Sequence, residues 1–156
     1  MSLSIGSQAP DFTLFSSEKT EVSLHSFKGK NVLILFYPLA FSGTCTQEMC
    51  SVRDDLSRFE QLNTEILAIS VDSLFTLNRF KEELGLRFHL LSDFNKTASA
   101  AYDVLHEEFA FGMKGVSKRS AFIVDKEGVV QYAEITANPG VVPDFDAIKK
   151  ALEGLK

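Results

Sequence analysis

The sequence predicts a three-layer α/β/α fold with a mixed central sheet, and three observations carry that prediction. An apolar run from Val32 to Tyr37 has the length and branching of a buried strand, and after a short loop a helical pattern follows it. Glu65 to Val71 repeats the strand signal beyond that helix, which makes a βαβ unit. In the last third, Arg119 to Val124 and Val129 to Ile135 are separated only by Asp125-Lys126-Glu127-Gly128, a connection that can make only an antiparallel hairpin. One sheet must therefore hold strands of both senses.

With 156 residues and 45% hydrophobic content, the chain fits one domain, 1–156, with a substantial core. Segments at Phe12 to Ser16 and Glu21 to Leu24 alternate around a polar turn at Ser17 to Thr20, and read as an N-terminal β-hairpin laid onto the main body. Gly29-Lys30-Asn31 then turns the chain into the central strand. Thr44 followed by Gln47 is a capping-box signal that makes Cys45 the first residue of the next helix. Its core face reads Cys45, Met49, Val52, Leu56 and Phe59, while Cys50 falls with Asp54, Ser57 and Gln61 on the polar face. Ser73 to Leu84 is a helix ended by Gly85, His89 to Ser92 a short strand, and Thr97 to Val104 a brief helix. His106 to Lys118 lacks periodicity and contains Gly112 and Gly115; it is a loop in which Phe109 and Phe111 line a site or anchor the loop, anchoring being favoured. Asp144 to Leu155 closes the chain as an amphipathic helix with Phe145, Ile148, Leu152 and Leu155 at helical spacing. A βαβ unit followed by ββα is the thioredoxin arrangement, whereas a doubly wound dinucleotide fold would keep alternating parallel strands and helices.

Composition narrows the function. A formal charge of −5 argues against nucleic acid or an anionic membrane surface as partner. The longest apolar run, Val32 to Phe41, is interrupted by Pro38 and too short to span a bilayer, and Met1 to Ile5 has no basic region ahead of a hydrophobic stretch. A cytoplasmic protein is expected. No Gly-rich phosphate loop appears, and His25, His89 and His106 have no spacing that suggests a metal site, so neither cofactor nor metal is expected. The charges from Arg79 to Glu83 read as a solvated helix face.

Chemistry concentrates in the two cysteines. At a helix start, Cys45 would face free backbone amides and the positive end of the helix dipole, which favour thiolate over thiol. Cys50 lies five residues on, so the two side chains point roughly 140° apart with alpha carbons more than about 7 Å apart. That is too far for a disulfide unless the helix start unwinds. Two cysteines this close do not form a secreted disulfide framework, and a transient redox role suits them better.

Ala9-Pro10-Asp11-Phe12, then Leu24 to Lys30, then Phe36-Tyr37-Pro38 with Ser42 and Cys45 in the spacing Pro-x3-Ser/Thr-x2-Cys, and finally Arg119 before an apolar strand, together resemble a peroxiredoxin. The similarity is greatest to the bacterioferritin comigratory protein and alkyl hydroperoxide reductase E branches. It implies a thiol-dependent peroxidase that reduces hydrogen peroxide and organic hydroperoxides at Cys45. Ser42 would hydrogen-bond the peroxide, Arg119 hold thiolate and oxygens with its fork of N–H groups, Pro38 shield the sulfur, and Glu48 orient Arg119. Ser42 stands where threonine is commoner, so the methyl that fixes the rotamer is lost. The spacing to Cys50 matches a resolving cysteine that condenses with the Cys45 sulfenic acid, after which a dithiol protein such as thioredoxin reduces the bridge. The resemblance allows a monomer or a homodimer. Without it, Cys45 would read as core filling, Cys50 as incidental, Glu48 as an ordinary first-turn acid and Arg119 as a strand-edge cation. Two rivals stand beside the peroxidase: a general disulfide oxidoreductase, which would favour Cys-x-x-Cys, and a thioredoxin-fold binding or chaperone protein.

Overall fold

Residues 3–155 are described by a computed structural model. The elements run β1 (Thr13–Ser16), β2 (Glu21–Ser23), β3 (Asn31–Phe36), α1 (Gly43–Asp54), α2 (Leu56–Gln61), β4 (Thr64–Ser70), α3 (Leu74–Leu84), β5 (His89–Ser92), α4 (Thr97–Ala101), β6 (Ser120–Val124), β7 (Val130–Ile135) and α5 (Phe145–Glu153). They build one seven-stranded sheet in the order β2-β1-β5-β4-β3-β6-β7. β3, β4 and β5 are parallel, while β6 and β7 and the β1–β2 hairpin pair antiparallel on either side. The mixed sheet and the N-terminal hairpin are thus as the sequence predicts.

All six residues of β3 are buried, because both faces of this strand are covered. Leu33 and Leu35 point into one core with Met49 and Val52 of α1, Phe59 of α2, Phe80 of α3 and Ile148 of α5. Val32, Ile34 and Phe36 point into the other, with Phe12, Leu14, Tyr102 and Phe122. The two-residue period of the strand produces these two hydrophobic layers and the helices outside them. Ser73 caps α3 by accepting from the Thr76 amide at 3.2 Å, and Gly85 ends it in the left-handed region at φ 64°. Among the described residues no helix is long and apolar enough to cross a membrane.

Several local expectations need correction. The first long helix starts at Gly43, with Ser42 as the extended residue before it, so Cys45 is the third helical residue rather than the first. The Thr44–Gln47 pair lies inside the first turn and does not form the cap. That helix also does not run through Phe59: Asp55, at φ −110° and ψ 11°, breaks it, and α2 carries Leu56, which is only partly buried, and Phe59. A 3₁₀ turn over Leu24–Phe27, absent from the sequence reading, leads toward β3. α4 stops at Ala101, short of Val104. The segment 106–118 is a folded-back arm, held by a Leu105–Ser117 bridge and by hydrogen bonds between His106 and both Val116 and Gly115. Phe109 stacks on His106 at 5.4 Å, but Phe111 is 99% exposed and anchors nothing.

Register does the positioning. Phe36, the last residue of β3, lies opposite Ser120, the first of β6. The residue before β6, Arg119, is therefore delivered to the carboxyl end of β3, where α1 begins. β3 also pairs with β4 as far as Phe36 opposite Ile69, which brings Ser70 to Asp72 to the same end. Three segments distant in sequence meet there because the ladders end together.

Candidate active site

Cys45 is 0% exposed and joins the core beneath α1. Its sulfur nevertheless has a charged neighbour: the Arg119 Nη2 group donates to Sγ at 3.2 Å. The same guanidinium donates from Nη1 to Glu48 Oε1 at 2.6 Å and from Nε to the Pro139 carbonyl at 3.1 Å. All three donor nitrogens of the fork are thus committed, and the plane of the guanidinium is set from three directions. The backbone of Arg119 is fixed too, since its carbonyl accepts from the Thr136 amide at 3.0 Å and the Thr136 hydroxyl at 3.2 Å. The stretch Thr136–Pro139, unmarked by any motif, thus holds both the backbone and the guanidinium of Arg119.

Burial sets the charges. The Glu48 side chain is fully enclosed, and burial pushes its carboxyl up to about 7, against the downward pull of Arg119. Glu48 Oε2 has no hydrogen-bond partner. Burial alone would lower the Arg119 pKa, but the facing Cys45 sulfur and Glu48 carboxylate hold it above its ordinary value. Sulfur, guanidinium and carboxyl form one buried line in which the only cation has an acceptor on either side.

Pro38 is buried just past β3, and Ser42 ends the loop that leads into α1. The Ser42 hydroxyl donates to the Leu39 carbonyl at 2.8 Å and does not cap the helix, although the Ser42 carbonyl accepts from the Thr46 amide at 2.9 Å. The amides of Gly43, Thr44 and Cys45 therefore start α1 without a side-chain acceptor. Between Pro38 and Ser42 the chain takes a left-handed step at Phe41, φ 69°, whose ring packs edge-on against Phe80 at 5.0 Å. Such a conformation in a bulky residue costs of order 1–3 kcal/mol and persists only where its surroundings impose it.

Of the residues singled out from the sequence, Cys45, Arg119 and Glu48 are in direct contact, and Pro38 and Ser42 frame the entrance of their helix. Cys50 stands apart: it is half-buried, and both cysteines are free thiols. Asp72 was not foreseen. It accepts the Ala40 amide and the Ser70 hydroxyl, each at 2.7 Å, and burial raises its carboxyl against these two bonds. The signal for it was slight, a short acidic residue just beyond a buried strand. Among the described residues, no group of three or more His, Cys, Asp or Glu side chains is placed to hold a metal ion.

A family profile described as AhpC/TSA matches residues 5–133. Alkyl hydroperoxide reductase E of Mycobacterium tuberculosis is 40% identical over 156 residues, covering 98% of each chain. The chloroplastic 2-Cys peroxiredoxin BAS1 of Arabidopsis thaliana is 37% identical over 163 residues, covering 97% of this chain and 59% of that one. Among solved structures, a peroxiredoxin-like protein from Aquifex aeolicus superposes with a TM-score of 0.90 at 25% identity, over 100% of this chain and 90% of that one.

Proposed function

The chain belongs to the AhpC/TSA family of peroxiredoxins, thiol-dependent enzymes that reduce peroxides, and from that premise we propose that Cys45 attacks the peroxide and Cys50 resolves the product. The observation that carries this reading is the Arg119 guanidinium 3.2 Å from the Cys45 sulfur, both residues being buried. Charge fixed in a low-dielectric enclosure acts on the sulfur and on the oxygens approaching it with little reorganisation.

The Cys45 sulfur, as thiolate, forms a bond to the terminal peroxide oxygen while the O–O bond breaks. Sulfur is oxidised to sulfenic acid, and the leaving hydroxide or alkoxide takes up a proton to become water or an alcohol. Ser42 aligns the substrate. Its one hydroxyl proton is already given to the Leu39 carbonyl, so toward the peroxide it offers lone pairs and accepts the peroxide O–H. Pro38 closes the other side, and Glu48 keeps Arg119 turned to the sulfur.

The Cys50 thiol then condenses with the sulfenic acid, an S–S bond forms and water leaves. This requires part of residues 43–51 to unwind, because the two thiols point to different faces of α1. Support for an inexpensive opening comes from the ends of that helix. It lacks a side-chain cap at Ser42, worth typically about 1 kcal/mol, and it is cut at Asp55 from the helix that follows. A dithiol protein of the thioredoxin kind then exchanges with the bridge and returns both thiols.

Peroxide consumption by wild type and Cys45→Ser tests the assignment, since a binding protein would be indifferent to that change. After one equivalent of peroxide, intact mass should fall by about two hydrogens through disulfide formation. A lasting gain of one oxygen would instead make Cys50 a bystander, and insulin-disulfide reduction without peroxidase activity would point to a general oxidoreductase.

A further inference from the structure

We propose that Asp72 is a positioning residue for the peroxide-reducing step, acting through the Leu39–Ala40 peptide to aim the Ser42 hydroxyl. This rests on the reading of Ser42 as the acceptor of the peroxide O–H. The connection is two hydrogen bonds joined through one peptide plane. Asp72 Oδ2 accepts the Ala40 N–H at 2.7 Å, and the carbonyl of that same peptide unit, Leu39 O, accepts the Ser42 hydroxyl at 2.8 Å. A trans peptide is planar, with its N–H and C=O pointing in opposite directions. Holding the amide therefore also holds the carbonyl, and with it the direction in which Ser42 must send its only proton. The free lone pairs of the hydroxyl are left facing one way.

Asp72 is itself pinned. Ser70, which is buried, donates its hydroxyl to the same Oδ2 at 2.7 Å and receives the Asp72 amide at 3.2 Å, and the Ser92 hydroxyl donates to the Asp72 carbonyl at 2.6 Å. Ser70 is the last residue of β4 and Ser92 the last of β5, so the relay is fixed to two neighbouring parallel strands. The arrangement also accounts for the left-handed step at Phe41: after the Leu39–Ala40 plane is tied to Asp72, the chain must turn sharply to return Ser42 to the Leu39 carbonyl. A serine lacks the β-methyl that would fix its own rotamer. Here the hydrogen-bond chain supplies that constraint from outside the residue.

The test measures the second-order rate of Cys45 with hydrogen peroxide in a Cys50→Ser background, where Cys45 is the single thiol. Alkylation of Cys45 by iodoacetamide, which has no peroxide to align, is followed in parallel. Ser42→Ala should slow the peroxide reaction by about 100-fold, the usual loss for one aligned hydrogen-bonding group, and Asp72→Ala by about 10-fold through misalignment. Both should change alkylation less than about 2-fold, since the hydrogen bond to the sulfur comes from Arg119 while Ser42 and Asp72 are engaged with the Leu39–Ala40 peptide. Asp72→Asn keeps an oxygen for the Ala40 amide and should recover most of the loss; it also serves if the alanine variant folds poorly. In the Ser42→Ala background, adding Asp72→Ala should have no further effect. If the two substitutions instead multiply, or if alkylation falls as far as peroxide reduction, Asp72 does not act through Ser42 and the proposal is overturned while the role of Ser42 stands. An unchanged peroxide rate in Ser42→Ala alone would remove that role and the proposal together.

Discussion

The two thiols of α1 are five residues apart in sequence and occupy opposite kinds of place. Cys45 is enclosed, its sulfur faces a guanidinium brought from 74 residues away, and that guanidinium is held in turn by Glu48 of the same helix and by the Pro139 carbonyl. Cys50 is half-buried on the outer face, within electrostatic reach of Arg53, whose guanidinium is tied to Asp54 and to the Leu84 carbonyl. In the proposed cycle the first is complete before substrate arrives, and the second becomes useful only after the helix gives way. On that reading a single helix serves a preorganised step and a reorganising one, its buried face carrying the first and its weakly capped end permitting the second.

The contrast is broken most completely at Cys50. Cys50→Ser should leave the first oxidation of Cys45 intact and abolish the intramolecular bridge, so mass spectrometry after one equivalent of peroxide should find an added oxygen in place of lost hydrogens. Next in size is Arg119→Lys, which keeps the charge but cannot reach sulfur, carboxylate and carbonyl with one planar fork. A loss of roughly 100- to 1,000-fold in the peroxide rate is expected in stopped-flow measurements; a loss under about 5-fold would show that the fork geometry is unimportant.

Glu48 makes the buried site sensitive to pH. It ionises less readily in the folded chain, at about 7, than at its ordinary value of 4.5. Its contribution to stability is therefore fully present below pH 4.5 and is lost as pH rises through 7. Wild type should lose roughly 3 kcal/mol relative to Glu48→Gln across this window. Measuring the difference between the two proteins cancels Asp72, whose raised carboxyl works in the same sense, and His106, whose lowered imidazole works in the opposite one. Parallel unfolding curves at every pH would exclude a titrating Glu48. The smallest effect is expected from Ser51→Ala, an exposed change within α1 that strengthens the helix by about 0.5 kcal/mol. If unwinding precedes bridge formation, the rate of that step should fall about 2-fold while oxidation of Cys45 is unaffected.

Much of this was legible in the chain. The mixed sheet followed from β3, whose six buried residues read as one apolar run, and from the short β6–β7 connection, which permits only one sense of pairing. The helix start was misplaced because the Thr44–Gln47 pair satisfies the local pattern for a cap. The structure instead spends the Ser42 hydroxyl on Leu39. The break at Asp55 was hidden because the apolar spacing continues through Leu56 and Phe59 as if the helix did. Cys45 was recognisable from its own neighbourhood, but the place of Arg119 depends on strand register, which no local window contains. Asp72 and Thr136–Pro139 were missed for the same reason: they matter through backbone groups they hold, and a backbone group has no letter in the sequence.

The pairing of Phe36 with Ser120 has a further consequence for how such a chain can change over time. Because the guanidinium is located by a ladder and not by the length of chain between Cys45 and Arg119, insertions or deletions in the exposed arm before β6 should leave the chemistry untouched. A slip of β6 by a single residue would carry Arg119 to the opposite side of the sheet. A change of length is thus tolerable in the arm before Lys118 and intolerable within the β6 ladder itself.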